Sequence, residues 1–322
     1  MAVLIYTENR DGKFTKASFE SVSFGVRIAK EMNLPAVVLS LGTVDNKALQ
    51  VLGKYGPDTI LTLEDERFDT LDNKAYTAAI SAVAADIAAK VVLFSHSNTG
   101  KAVAPRVAAR MKAAYAPALT GLPVSYNPLI VRKKVMSGKA FADIGLSGEA
   151  SVLTLSPNAF EVVEKPADIP VEKVNIPVDD NWFTTRVTGV QKQTGKVILT
   201  DADIVVSGGR GMKGPENWGP IEELAGLLGA ATACSRPVSD EDWRPHEEHT
   251  GQTGKIIAPN LYIACGISGA IQHLAGVSSS KYIVAINTDP DAPIFEAADY
   301  GIVGDAMKVL PALVEEVKKV IQ

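Results

Sequence analysis

The segment Leu261–Leu274, LYIACGISGAIQHL, decides the fold of the second half of the chain. Its apolar run Leu261–Cys265 has the length and composition of a buried strand, which Gly266 ends. The residues that follow predict a helix over Ser268–Ala275, with Ser268 as its N-cap, because a serine hydroxyl can accept from the free N–H groups of a first helical turn. A strand followed at once by a helix is one βα unit of a parallel sheet.

The same alternation of short apolar runs and helix-like segments recurs through the chain, which is typical of parallel sheets flanked by helices. Between about Tyr126 and Val163 the runs become shorter and β-rich, so we expect hairpins appended to the first sheet. The predicted strands are Val3–Tyr6, Ala36–Leu41, Thr59–Leu63, Val91–Ser95, Ile204–Ser207, Ala231–Ser235, Leu261–Cys265, Tyr282–Asn287 and Tyr300–Val303, and the predicted helices are Ser18–Met32, Asn73–Lys90, Thr99–Ala114, Glu216–Leu228, Ser268–Ala275 and Ala306–Ile321.

The segment Lys165–Asn181, rich in proline and acidic residues, predicts the path out of a first domain. We place the boundary near Gly195, with an N-terminal α/β domain over residues 1–195 and a C-terminal α/β domain over residues 196–322. The predicted fold class is therefore α/β, with two Rossmann-like or flavodoxin-like parallel-sheet domains, the first of which carries the β-hairpins.

Composition narrows the functional classes. The 322 residues are 46% hydrophobic and 21% charged, as in a well-packed globular protein, and the formal net charge of −5 gives no basic surface for nucleic acid or an anionic membrane. No apolar run is long enough to span a bilayer, and the N-terminus enters a strand-like run without a targeting pattern, so we expect a cytoplasmic protein. Cys234 and Cys265 lie in apolar runs and predict buried free thiols. The histidines fit no common metal pattern, and His246 and His249 are expected in a solvated loop.

Residues with polar or glycine character follow each predicted strand of the second domain. Ligands of open α/β sheets bind at the carboxyl ends of the strands, so we expect these residues to line one ligand-binding edge. Gly209–Gly214, GRGMKG, matches GxGxxG, but no acidic residue closes a compact βαβ unit about 20 positions later, which disfavours a dinucleotide-binding Rossmann fingerprint. The segments at the strand ends are Ser207–Arg210, Ser235–Arg236, Gly266–Ser268, Asn287–Asp289 and Gly304–Asp305.

The predicted helix after Gly266 carries an unusual polar group in its first turns. Gln272 shares a face with Ser268, and His273 is the next residue. One interpretation of His273 is a hydrogen-bonded core histidine. The other, which its position at the ligand edge favours, is a group directed at a ligand.

Several of these motifs together resemble the C-terminal FAD-binding domain of the electron transfer flavoprotein alpha subunit. The N-terminal half, with GKAVAPRVAARM and the SGKAFADI and SVLTLSPNAFE segments, is similar to the same family, so the resemblance covers nearly the whole chain. The motifs that carry it most specifically are SGGRG, SRPV, GQTGK, LYIACGISGAIQHLAG and IVAINTDPDAPIFEAADYGIVGD.

This resemblance implies an electron carrier without catalytic activity of its own. It would hold one FAD, shared with an electron transfer flavoprotein beta subunit in a heterodimer, and would take electrons from dehydrogenases, such as the acyl-CoA dehydrogenases of fatty acid beta-oxidation, to a quinone oxidoreductase or another acceptor. The beta subunit would hold AMP or a second FAD. The residues that match the family's FAD contacts are Arg210, Ser235, Arg236, Thr250, Gly251, Gln252, Thr253, Ser268, Gly269, Ala270, Ile271, Gln272, His273, Asn287 and Asp305.

By the same resemblance, three of these positions lie against the isoalloxazine ring, namely Arg236, Thr253 and His273, and Ser268, Asn287 and Asp305 lie on the ribose, diphosphate and adenosine side. Reduction places negative charge at flavin N1 and C2=O, so an imidazolium or guanidinium donor there favours the reduced forms. One charge-assisted hydrogen bond is worth roughly 1.5–3 kcal/mol, enough to shift a one-electron potential by about 59 mV.

Two other functions stay open. One is a subunit of an NADH-linked electron-bifurcating complex, whose nicotinamide site would lie on the partner. The other is a nucleotide-binding scaffold, which would have no need of Arg236, Thr253 and His273. A hydrolase is disfavoured, because Gly266–Gly269, GISG, lacks the spacing of a GxSxG nucleophile elbow.

Overall fold

A computed structural model describes residues 1–138, 140–189 and 197–321 of the chain. It divides into two compact units, the first comprising Met1–Val135 and Lys139–Gln191 and the second Met136–Gly138 and Lys192–Gln322. The predicted boundary near Gly195 lies outside the described residues, so the domain limits 1–195 and 196–322 stay a prediction.

The first unit alternates strands and helices and has a β-rich segment before its last long strand. Its strands are β1 (Ala2–Thr7), β2 (Asn9–Arg10), β3 (Lys13–Phe14), β4 (Ala36–Leu41), β5 (Thr59–Leu63), β6 (Ala89–Ser95), β7 (Ala114–Leu119), β8 (Ser125–Tyr126), β9 (Leu129–Val135), β10 (Ala140–Leu146), β11 (Ser151–Leu155) and β12 (Val171–Lys173), and its helices are α1 (Lys16–Met32), α2 (Asn46–Val51), α3 (Asn73–Asp86) and α4 (Asn98–Met111).

The sheet of the first unit has the strand order β10-β9-β7-β11-β6-β1-β4-β5-β12, with β8 paired to β9. Pairing is parallel from β7 to β12 and antiparallel between β9 and its neighbours. Both faces of the parallel part are covered by apolar side chains, and β1 and β4 are buried along their whole length for that reason.

The expected hairpins are only partly correct. The β9–β10 hairpin is present, but Ser151–Leu155, expected among the hairpins, is β11, a parallel strand between β6 and β7. All five of its residues are buried, which fits a central strand covered on both faces. The β-rich run Phe160–Lys165 forms no strand.

The second unit is a parallel sheet with helices. The strand order is β14-β13-β15-β16-β17 and every pairing is parallel in the described part of this unit, which confirms the predicted α/β class with two parallel-sheet domains. Its strands are β13 (Ile204–Gly208), β14 (Ala231–Cys234), β15 (Leu261–Cys265), β16 (Tyr282–Asn287) and β17 (Tyr300–Val303), and its helices are α5 (Gly219–Leu228), α6 (Arg236–Asp240), α7 (Ile271–Val277), α8 (Ile294–Ala297) and α9 (Ala306–Ile321).

The strands of this second sheet end together. Gly208 is opposite both Cys234 and Cys265, and Asn287 is opposite Val303. The expectation that the segments following these strands share one edge is therefore confirmed. We call this the second carboxyl edge.

The predicted start of the helix after β15 is wrong. Helix α7 begins at Ile271 with Ala270 at its N-cap position, so Ser268 does not cap it. Gly269 has a φ of +83°, outside the right-handed helical region, and the backbone N–H of Ile294 donates to Ser268 O at 3.0 Å. The segment before α7 is therefore a turn that is held by a hydrogen bond from α8. The Ser268 side chain is exposed in this turn.

None of the helices in the described ranges is long and apolar enough to cross a membrane.

Candidate functional site

Two glycine turns pack against each other at the centre of the second carboxyl edge. Gly209 N donates to Cys265 O at 2.9 Å, and Gly211 N donates to Gly266 O at 3.0 Å. A Cβ added to Gly266, whose φ is +62°, would lie 2.8 Å from the Cα of Gly211. Side chains at these positions would separate the two turns, so the glycines keep the backbone of β13 and β15 close at the edge.

The turn after β13 and the start of α9 meet through an ion pair. Lys213 Nζ lies 2.8 Å from Asp305 Oδ2, and Asp305 Oδ1 accepts from the backbone N–H of Met307 at 3.0 Å. The hydrogen bond from Lys213 is the main cause that lowers the pKa of Asp305. Arg210, in the same turn, has an exposed side chain that faces solvent. The turn after β13 thus offers two cations, Arg210 and Lys213, and Lys213 already has a carboxylate partner.

Asn287 fixes the turn that follows β15. Its side-chain Nδ2 donates to Ile267 O at 2.8 Å, and its Oδ1 accepts from Asp289 N at 3.0 Å. The amide is therefore used within the protein and holds the Gly266–Ser268 turn in place.

Backbone hydrogen bonds hold the TGQTG loop, Thr250–Gly254, to β14 and to α7. Thr250 N donates to Cys234 O at 3.0 Å, and Gln252 N donates to Gln272 O at 2.7 Å. A Cβ on Gly276 would lie 2.6 Å from Gly251 N, so α7 and the loop are in close contact. The structure thereby joins the predicted segments 250–253 and 268–273, while the side chains of Gln252, Thr253 and Gln272 remain exposed.

Ser235 and Arg236 follow β14 at the same edge. Ser235 is buried and occupies the N-cap position of α6 without a side-chain cap hydrogen bond. Arg236 is exposed and pairs with Asp240 at 3.2 Å, one turn further along α6. An exposed i,i+4 pair of this kind is weak, of the order of 0.3–0.5 kcal/mol, so the guanidinium is readily available to a stronger partner.

His273 differs from the other predicted site residues because its side chain is 7% exposed. Its Nε2 lies 2.8 Å from the hydroxyl of Tyr262, and its Nδ1 has no hydrogen-bond partner among the described residues. Burial lowers the pKa of His273 to about 4. The ring is therefore neutral at pH 7 in this structure, so of the two charged donors considered, imidazolium and guanidinium, the chain by itself supplies the guanidinium.

Two residues that matter for this edge were missed or misjudged from the sequence. Tyr262 was assigned only to an apolar strand, although its hydroxyl contacts His273. His249, expected in a solvated loop, is 3% exposed, and its Nδ1 lacks a partner within the described part of the chain. The signal available was position, since His249 immediately precedes the TGQTG loop.

The acidic residues before that loop also differ from each other. Glu248 lies in the loop that was expected to be solvated but is buried, and Arg244 donates to both of its carboxylate oxygens at 2.8 Å. Glu247 and His246, in the same loop, are exposed. A buried bidentate pair therefore anchors the chain just ahead of His249.

Cys234 and Cys265 are free and buried, as predicted. Burial raises the pKa of each thiol to about 12, so both are thiols at neutral pH and neither is a nucleophile. No cluster of side chains with the composition of a metal site occurs within the described residues.

Two family models match this chain. The model described as the electron transfer flavoprotein domain matches residues 3–179, and the model described as the electron transfer flavoprotein FAD-binding domain matches residues 198–278. The second match contains β13 to α7, and with them the glycine turns, the TGQTG loop and His273.

Similar proteins cover nearly the full length of the chain. The electron transfer flavoprotein alpha subunit of Syntrophomonas wolfei is 40% identical over 316 residues, which cover 98% of both chains. That of Bacillus subtilis is 38% identical over 320 residues, 98% of this chain and 97% of its own. The acryloyl-CoA reductase electron transfer subunit beta of Anaerotignum propionicum is 30% identical over 350 residues, 98% of this chain and 95% of its own. The chain belongs to the electron transfer flavoprotein alpha subunit family.

The donor set at the second carboxyl edge fits FAD. A dinucleotide flavin needs cations and backbone N–H groups for its diphosphate and hydrogen-bonding groups for its ring. Exposed Arg210 and the turn at Ser268 meet the first need. The second is met by Thr253 and Arg236, both exposed, and by the buried imidazole of His273.

Proposed function

We propose that this chain is the FAD-binding electron-carrier subunit of a heterodimeric electron transfer flavoprotein. The observation that carries the proposal is the junction of the TGQTG loop with the 268–273 segment, made by the hydrogen bond from Gln252 N to Gln272 O. This junction brings the flavin-tuning candidates Thr253 and His273 onto one edge of a domain that matches the family's FAD-binding model.

The exposed residues of the edge bind and orient the cofactor in this proposal. Arg210 and the backbone N–H groups around Ser268–Ile271 hold the diphosphate. Asn287, which holds the Gly266–Ser268 turn, and Asp305, which pairs with Lys213, position the adenosine side. Ser235 and the TGQTG loop support the ring. Bound FAD supplies the redox chemistry, accepting and releasing electrons at its ring.

Arg236 and His273 adjust the electrostatics around the ring. Arg236 exchanges its exposed pairing with Asp240 for a charge-assisted hydrogen bond, which is worth more in a site closed to water. His273 contributes a neutral imidazole, because burial keeps its pKa near 4. The positive charge that favours electron uptake therefore comes from Arg236, and His273 contributes a dipolar donor.

A beta subunit completes the site and forms the heterodimer, and it holds AMP or a second FAD. Dehydrogenases, among them acyl-CoA dehydrogenases of fatty acid beta-oxidation, are the electron donors, and a quinone oxidoreductase or another redox protein is the acceptor. The complex works in the cytoplasm. These partners follow from the family membership and are part of the proposal.

The proposal is tested by co-expressing the chain with its electron transfer flavoprotein beta subunit. Flavin content and the course of dithionite reduction are then measured by visible absorption. One FAD per heterodimer, reduced by dithionite and not by NADH, supports the carrier. Two FAD per heterodimer with reduction by NADH supports the electron-bifurcating alternative. A colourless heterodimer that does not take up added FAD contradicts both.

Replacing Arg236 tests its role within the site. Arg236→Gln should lower the first one-electron potential by on the order of 60 mV, the equivalent of one charge-assisted hydrogen bond. Arg27→Gln is the matched control, because Arg27 is also exposed and pairs with Glu31 at i,i+4, on α1 of the first unit. Equal potentials in the two variants would exclude Arg236 from the ring environment.

A further inference from the structure

A buried tyrosine lies behind His273. Tyr262 is on β15, is fully buried, and has its hydroxyl oxygen 2.8 Å from His273 Nε2. Burial raises the pKa of Tyr262 well above its usual value, although the nearby hydroxyls of Ser207 and Thr250 act in the opposite direction. The phenol is therefore protonated throughout the physiological range and brings a single proton to this contact.

His273 also brings a single proton. Burial and the neighbouring His249 lower its pKa, and the backbone of Thr250 opposes them without restoring the charged form. A neutral imidazole has one N–H and one bare nitrogen. Two arrangements are then possible for the 2.8 Å contact, with the phenol donating to Nε2 or with Nε2 donating to the phenol oxygen.

The surroundings favour the phenol as donor. If Nε2 carried the proton, the Tyr262 hydroxyl would need another acceptor. Thr250 Oγ1 donates to Cys234 O at 3.2 Å, which uses its proton but leaves its lone pairs able to accept, so this hydroxyl does not decide the direction. The Thr250 backbone does, because it acts to raise the pKa of His273 as a carbonyl near a ring N–H does. Since Nε2 faces the phenol, that N–H is at Nδ1, and Nε2 is left to accept from the phenol.

We propose that Tyr262 is a positioning residue that donates a hydrogen bond to His273 Nε2, fixes the plane of the imidazole, and holds its proton at Nδ1. Nδ1 makes no hydrogen bond of normal geometry to the described residues, although the Thr250 backbone is close enough to act on the ring. This inference rests on the proposed function, in that the neutral Nδ1–H is then the donor that His273 offers to bound FAD. It assigns the hydroxyl on β15 a role in tuning the flavin without contact between Tyr262 and the cofactor.

The variant Tyr262→Phe removes the hydroxyl and keeps the ring that fills the core. His273 Nε2 then loses its donor, and a population of the Nε2–H tautomer should form, with Nδ1 as a bare acceptor. A bare nitrogen repels the negative charge of a reduced flavin, so the midpoint potential should shift to more negative values. The matched control is Tyr282→Phe, because Tyr282 is on the adjacent strand β16 and its side chain is exposed.

The test is nitrogen NMR of the heterodimer labelled with ¹⁵N-histidine, with His273 assigned by comparison with His273→Gln. In the unsubstituted protein, Nε2 should give the shift of an unprotonated nitrogen and Nδ1 that of a protonated one. Tyr262→Phe should move both shifts toward the opposite tautomer and lower the flavin midpoint potential, whereas Tyr282→Phe should change neither.

A protonated Nε2 in the unsubstituted heterodimer overturns the proposal, and this measurement stands even if Tyr262→Phe does not fold. Unchanged His273 shifts in a folded Tyr262→Phe protein overturn it as well. A heterodimer that shows the expected tautomer but binds no FAD would contradict the proposed function and leave the Tyr262–His273 pairing intact, so the two failures are distinguishable.

Discussion

The buried polar side chains at the carboxyl edges of the two sheets differ in how completely they are hydrogen-bonded. In the first unit, Glu8 follows β1, and its carboxylate accepts hydrogen bonds from Ser95, at 3.0 Å, and from Ser97. Ser97 also accepts from Gly100 N and so caps α4. His96 has a partner too, since its Nδ1 lies 2.7 Å from Thr154 Oγ1. The polar groups around Glu8 therefore pair with one another.

At the second carboxyl edge, two buried histidines are not fully paired within the described residues. Nδ1 of His249 and Nδ1 of His273 have no hydrogen-bond partner there, whereas the penultimate serines Ser40 of β4 and Ser207 of β13 are alike in having an unpaired hydroxyl. Buried polar groups without partners are costly, so they occur where another requirement maintains them. The comparison shows that two parallel-sheet edges differ in the pairing of their histidines: His96 is hydrogen-bonded at Nδ1, whereas His249 and His273 are not.

The largest effect on stability is expected from adding a side chain at Gly269, where two backbone segments of the second carboxyl edge are in close contact. Gly269→Ala should destabilise the second unit by roughly 2–6 kcal/mol, because a φ of +83° strains alanine and its Cβ would lie 2.5 Å from Ile294 Cα. Thermal unfolding followed by circular dichroism measures the loss. The control is Gly226→Ala on α5, where a Cβ meets nothing within 4 Å. Equal stability of the two variants would show that the turn before α7 tolerates side chains.

A smaller effect on stability is expected from protonation of His273 at low pH. The folded-state pKa of His273 is about 4, below the ordinary value near 6.5, so the unfolded chain takes up a proton between these values that the folded chain does not. The contribution of His273 to stability should therefore be present above pH 6.5 and be lost as the pH falls to about 4, by on the order of 3 kcal/mol. Denaturant unfolding of the unsubstituted chain and of His273→Gln at several pH values measures this.

The variant His273→Gln should lack that part of the pH dependence, and His246→Gln, at an exposed histidine, should retain it. The interpretation fails if the free energy of unfolding of both variants changes between pH 7 and pH 4 as it does in the unsubstituted chain.

The smallest effect on stability is expected from Glu8, at the carboxyl edge of the first sheet. Burial raises the pKa of Glu8, against the hydrogen bonds from Ser97 and Ser95, so the folded chain holds this proton at a pH where the unfolded chain has released it. Stability should therefore decrease as the pH rises from the ordinary carboxyl range through the folded-state pKa. Glu8→Gln should remove this decrease at a loss of about 1 kcal/mol at low pH. Glu31→Gln, at an exposed glutamate of α1, is the control, and an unchanged pH profile in Glu8→Gln would contradict the assignment.

Strand positions could be predicted closely because buried parallel strands are continuous apolar runs. The predicted bounds of β4, β5, β15 and β16 are those of the structure for this reason. The bounds of β17, an exposed edge strand, and of α9 were also predicted correctly. The hairpin region was less predictable, because β11 is as short as a hairpin strand and only its neighbours β6 and β7 make it central.

The site could be located but not described from the sequence. Its place at the second carboxyl edge followed from the strand ends, but the N-cap at Ser268 was wrong, because the positive φ of Gly269 depends on contact with α8. The protonation of His273 could not be derived from the sequence, since burial and the Tyr262 contact come from tertiary packing. Local pattern gives the order of elements, whereas depth and hydrogen-bond partners depend on residues distant in the chain.

The TGQTG loop keeps its shape through main-chain atoms, from Thr250 N to Cys234 O and from Gln252 N to Gln272 O. The side chains of Gln252 and Thr253 point into solvent and take no part in holding it. Substitution at these two positions therefore leaves the loop geometry unchanged while altering the groups it presents. Under the proposed function, such a loop allows the redox properties of the carrier to diverge between relatives. For engineering, it offers two positions at which a library can be made without selecting again for folding.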